Sequence, residues 1–101
     1  MVNITPGQLR IVQTVLREVL APGSKVWVYG SRAKGGVHRA SDLDLAIDSG
    51  KKLDLAALAK ITDAFSEALL PFKADILDLH TTSPEFRAQI DAHKIPLPGF
   101  E

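Results

Sequence analysis

The sequence contains no cysteine, which excludes a disulfide scaffold and any thiolate metal site and suits a reducing compartment. It also lacks a surplus of either charge: 12 Lys and Arg balance 12 Asp and Glu. A protein that grips nucleic acid through its phosphates needs a basic surface, and neither a basic run nor a recognition motif supplies one here. No apolar run approaches the roughly 20 residues needed to span a bilayer. The opening Met1-Val2-Asn3-Ile4-Thr5-Pro6 has neither the basic nor the apolar region of a secretory signal. Repeats and low-complexity segments are missing as well. These absences lead to the expectation of a cytoplasmic protein with no membrane association and no nucleic-acid partner. At 101 residues the chain can bury one core, so residues 1–101 are expected to form a single domain.

What is present is strongly patterned. Thr5, Pro6 and Gln8 have the spacing of a capping box with proline at the first helical position, and Leu9, Val12, Val15, Leu16, Val19 and Leu20 follow at helical intervals until Ala21-Pro22-Gly23. Lys25 to Tyr29 is short, β-branched and aromatic, and reads as a buried strand with Trp27 and Tyr29 in the core. Ser31 to Ser41 reads as a turn of helix followed by a loop. Asp42 to Asp48 alternates strictly, which as a strand puts Leu43, Leu45 and Ile47 on one face and Asp42, Asp44 and Asp48 on the other. Asp54 caps a second helix carried by Leu55, Leu58, Ile61, Phe65 and Leu69. Phe72 to Leu79 is a third strand, Ser83-Pro84 opens a short helix, and Pro96 and Pro98 leave an extended tail over about residues 95–101. The order predicts an α/β domain, a small mixed sheet flanked by helices.

Three features carry chemistry. Asp42 and Asp44, two apart on one strand, project to the same side, and their mutual repulsion calls for a cation; hard divalent ions such as Mg²⁺ take one or two carboxylates plus substrate phosphates. Gly30-Ser31 ends a strand and starts a helix, where backbone N–H groups and a hydroxyl can hold a phosphate. Arg32 and Lys34 follow closely enough to neutralise phosphate charge. Glycine, serine and two aspartates fixed at this spacing recur by chance in roughly one in a thousand chains of this length, so the combination is specific where each part is not. His38 and Arg39 precede the aspartates and could touch a nucleotide or a partner. His80 and His93 have no metal-ligating neighbours at a useful spacing and read as surface or packing residues.

The stretch GSRAKGGVHRASDLDLAI resembles the signature of the DNA polymerase beta-type nucleotidyltransferase superfamily, and within it the minimal nucleotidyltransferases that accompany a helical HEPN partner. The resemblance implies that Gly30 and Ser31 bind the β,γ-phosphates of ATP. It also implies that Asp42 and Asp44 hold two Mg²⁺ ions. A third carboxylate, matching Ala74-Asp75-Ile76, would bind one of these ions and help deprotonate the attacking hydroxyl. Asp78 rivals Asp75; with Phe72, Ala74 and Ile76 packed inward, strand parity points Asp75 outward and favours it. The family often has arginine where Lys34 stands.

Two functions follow. In the first, the chain is a Mg²⁺-dependent enzyme that moves AMP from ATP to an acceptor hydroxyl. The chain is too short to enclose a large acceptor, so a separate protein would present it. By resemblance, this is a HEPN-type toxin whose tyrosine is adenylylated in a hetero-oligomer, making the chain an antitoxin. In the second, the same fold is a non-catalytic module that neutralises its helical partner by occlusion.

Overall fold

The computed structural model describes residues 2–35 and 41–101. The capping box forms as the sequence dictates: Thr5 Oγ1 accepts from the Gln8 N–H at 3.1 Å and Gln8 Oε1 accepts from the Thr5 N–H at 3.0 Å, opening α1 (Pro6–Val19). Each such cap is worth about 1 kcal/mol. β1 (Lys25–Tyr29) leads through Gly30 into the short α2 (Ser31–Lys34), and β2 (Leu43–Asp48) follows. Asp54 caps α3 (Leu55–Ser66) by accepting from the Ala57 N–H at 2.7 Å. After β3 (Ala74–Asp78), Ser83 caps α4 (Pro84–Asp91), and the chain closes with β4 (Ile95–Pro96).

The four strands lie in the order β3-β2-β1-β4, with β1 antiparallel to both β2 and β4 and β2 parallel to β3. This is the mixed sheet expected. Period-2 alternation divides its faces. Val26 and Val28 of β1 and Leu43, Leu45 and Ile47 of β2 point to one side and pack with Val12 and Leu16 of α1 and Ile61 and Phe65 of α3. Truncating one of these buried aliphatics to alanine costs about 2–5 kcal/mol, because a cavity is added to the lost transfer energy.

Three expectations need correction. Trp27 and Tyr29 alternate with Val26 and Val28, so they lie on the opposite face and are only half-buried there. α4 and the turn after it cover them: Phe86 meets the Tyr29 ring edge-on at 6.3 Å, and the Lys94 ammonium sits 4.4 Å from the centre of the Trp27 ring. Leu55 and Leu69, read as core-facing helix positions, are 85% and 90% exposed; Leu55 begins α3 and Leu69 lies beyond its end. The carboxy-terminal tail is extended but integral. Leu97 is fully buried and donates its N–H to the Val26 carbonyl at 2.9 Å, while the Val26 N–H reaches the Phe100 carbonyl at 3.0 Å. Among the described residues no helix is long and apolar enough to cross a membrane.

Candidate nucleotidyl-transfer site

On the face opposite the core, the registers Tyr29↔Asp44 and Asp44↔Asp75 place a tyrosine and two aspartates in one row across β1, β2 and β3. Sheet spacing alone brings such row neighbours within about 5 Å. The two carboxylates therefore come from separate stretches of chain, as strand parity predicts for Asp75. Asp44 is the one most affected. Burial, then the Asp75 charge, then the Asp42 charge hold its carboxyl above the usual carboxylate range. The Tyr29 phenol is pushed up by burial and then by Asp44 and Asp75.

Asp42 precedes β2 and is exposed. It is near enough to act on Asp44 electrostatically, yet among the described residues no three His, Asp or Glu side chains stand close enough together to hold an ion. Asp75 is half-exposed and lies 3.7 Å from the Lys73 ammonium. The donor set nevertheless fits a hard cation: carboxylate oxygens only, two of them row neighbours, as Mg²⁺ uses alongside substrate phosphates.

Asp78, the rival third carboxylate, faces the other way. It is buried, with Oδ2 accepting from the Leu53 N–H at 2.8 Å and Oδ1 from the His80 N–H at 2.9 Å, so it braces the loop into α3. His80, read as incidental, is tied to Asp48 at 2.6 Å, and this hydrogen bond is the main reason the Asp48 carboxyl lies below its usual range.

Gly30 connects the row to the turn. Its φ of 71° lies where side chains are strained, and a Cβ there would collide with the Asp44 carboxylate. Its carbonyl accepts the N–H groups of Ala33 and Lys34, both at 3.1 Å, which fixes α2 with Ser31 at its start and Lys34 exposed near its end. Arg32 departs from expectation. Its guanidinium is buried, with Nε donating to the Ser41 carbonyl at 3.0 Å and Nη1 to the Asn3 carbonyl at 2.8 Å, and it stacks 4.1 Å from the centre of the Phe72 ring. Burial lowers its pKa and Asp42 acts against that shift. A side chain so placed joins α2 to Asn3 on one side and Ser41 on the other. His38 and Arg39 lie outside the described residues.

Sequence reasoning missed His93. Its Nε2 accepts the Gly30 N–H at 3.1 Å across 63 residues of sequence. No local spacing could reveal this, because it depends on how the two-residue β4 registers against β1.

This sheet, with its carboxylate row beside a glycine-serine turn, defines the nucleotidyltransferase class. The chain belongs to the polymerase beta nucleotidyltransferase family, whose profile matches residues 16–98. It is 47% identical over 85 residues to the Haemophilus influenzae protein named "Probable protein adenylyltransferase MntA", covering 84% of this chain and 74% of that relative. Among solved structures it is similar to a toxin–antitoxin crystallised with AMP-PNP (TM-score 0.75, 25% identity, 90% of this chain and 73% of that one). It is also similar to one described as a minimal nucleotidyltransferase (TM-score 0.65, 29% identity, 90% of each chain).

Proposed function

We propose that the protein transfers AMP from ATP to a tyrosine hydroxyl of a HEPN-type helical partner, with Mg²⁺ required, and thereby acts as the antitoxin of a two-gene module. The observation that carries this reading is the Asp44–Asp75 row pair set against the Gly30 turn. The relative named an adenylyltransferase and the toxin–antitoxin fold neighbour with AMP-PNP support the donor nucleotide and the class of partner.

In this reading the Gly30-Ser31 turn receives the β,γ-phosphates and Lys34 offers a point charge beside them. Asp42, Asp44 and Asp75 would hold two Mg²⁺ ions, which would supply positive charge against that of the phosphates. The acceptor oxygen forms a bond to the α-phosphorus as the bond from that phosphorus to the bridging oxygen breaks. Pyrophosphate carries away the electron pair, and Asp75 takes the proton of the hydroxyl. Arg32 acts at one remove, tying α2 to Asn3 and Ser41.

The test is to incubate the full chain with labelled ATP, Mg²⁺ and a HEPN-type helical protein. Label should appear on the partner with the wild-type chain and be absent when Asp42→Asn and Asp44→Asn are combined. Carboxamides keep the shape while removing the anionic ligands. An unlabelled but still neutralised partner in both samples would replace this reading with occlusion.

A further inference from the structure

We propose that His93 is a positioning residue for the phosphate-gripping turn, holding the Gly30 peptide in place before the nucleotide arrives; this rests on the function proposed above. The antiparallel register of β4 on β1 pairs Trp27 with Pro96 and Val28 with Ile95. Continuing the same ladder two steps outward brings His93 opposite Gly30, where its Nε2 accepts the Gly30 N–H at 3.1 Å. The strand pairing thus aims the imidazole at the turn.

His93 is itself held on both sides. Its own N–H donates to the Ile90 carbonyl at 3.1 Å, closing α4. The next residue, Lys94, is fixed over Trp27 at 4.4 Å and against Asp91 at 2.7 Å. A histidine nitrogen that accepts a backbone N–H carries a lone pair there, so the ring proton resides on Nδ1.

Gly30 is consequently constrained on three sides. His93 takes its N–H, the Asp44 carboxylate lies against its α-carbon, and α2 takes its carbonyl. Its positive φ is a conformation that other residues rarely adopt, and such a conformation persists only where the surroundings over-determine it. With the Gly30 N–H committed to His93, Ser31 supplies the donors that face the phosphates. The same clamp sets where Asp44 points. Nucleotide affinity would therefore depend on a residue outside the nucleotide site and far away in sequence.

The experiment compares the wild-type chain, His93→Leu and His93→Gln, each bound to the partner, in AMP-transfer kinetics and in calorimetric titration with AMP-PNP and Mg²⁺. Leucine removes the acceptor, whereas glutamine returns an amide oxygen. Loss of one such hydrogen bond corresponds to roughly a tenfold weaker interaction. We expect the KM for ATP and the Kd for AMP-PNP to rise about tenfold in His93→Leu, with kcat at saturation changed less than about threefold and melting temperature nearly unchanged. His93→Gln should recover most of the affinity. Unchanged KM and Kd in His93→Leu, with the wild type active, would overturn this inference alone. So would equal losses in both variants accompanied by a matching fall in melting temperature, which would mark His93 as merely structural. A wild-type chain that neither transfers AMP nor binds AMP-PNP would sink the functional reading and this inference together.

Discussion

The α-carbon of Gly30 lies against the carboxylate of Asp44, so closely that the smallest side chain at position 30 would occupy the space of an acidic oxygen. The turn and the carboxylate row are therefore one structural unit. Gly30→Ala is expected to lower stability by about 1–3 kcal/mol through its positive φ and to swing Asp44 away, abolishing AMP transfer. Thermal melting together with the transfer assay checks both. A Gly30→Ala chain that melts like wild type and remains active would contradict the coupling.

Asp44 carries an electrostatic cost in the fold. Its carboxyl is held above its usual range chiefly by burial, then by Asp75 and Asp42. For a group whose folded pKa is raised, the favourable contribution is present below the unfolded value, near 4, and is lost as pH rises through the folded value. In its ionised form Asp44 consequently destabilises the fold. Asp44→Asn should melt above wild type at pH 7 while transferring no AMP, and the gap should narrow as pH falls toward 4. Adding Mg²⁺ with AMP-PNP should raise the wild-type melting temperature and leave Asp44→Asn unmoved.

The alternating sequence Asp42 to Asp48 made one half of this row legible, and parity at Phe72, Ala74 and Ile76 pointed to Asp75 over Asp78, because side-chain period follows directly from strand geometry. Two kinds of information stayed hidden. Arg32 is a charged loop residue by sequence, but Phe72, Asn3 and Ser41 provide a buried pocket that only tertiary folding assembles. His93 depends on β4, where two residues, one of them Pro96, gave no strand signal, and Leu97 was hidden within the same apparent tail. Trp27 was misplaced because a strand covered on both faces reads as uniformly apolar, which conceals which side faces the larger core.

The two cations of α2 should separate cleanly. Arg32→Met removes the guanidinium that donates to the carbonyls of Ser41 and Asn3 and stacks on Phe72, and is expected to cost about 1–3 kcal/mol of stability. Lysine should not rescue it, since an ammonium cannot reproduce the planar fork that serves two carbonyls and stacks on Phe72. Lys34 is exposed, so Lys34→Ala should leave the melting temperature within the error of a surface change and raise the KM for ATP several-fold. An Arg32→Met chain of normal stability and a strongly raised KM would return Arg32 to the phosphates.

Asp75 and Asp78 lie three residues apart with opposite expected phenotypes. Asp75 is half-exposed, and its contact with Lys73 at 3.7 Å is a surface ion pair of the sort that contributes about 0–1 kcal/mol. Asp75→Asn should therefore fold normally and lose AMP transfer. Asp78 accepts two backbone N–H groups from within the fold, so Asp78→Ala leaves both without an acceptor and should cost about 1–3 kcal/mol, with Asp78→Asn milder because one amide oxygen remains. Denaturant melts paired with transfer rates measured well below the melting temperature decide the assignment. If the still-folded Asp78→Asn chain were inactive while Asp75→Asn kept its rate, the third carboxylate would have to come from the buried side of β3, and the row across the sheet would lose its chemical meaning.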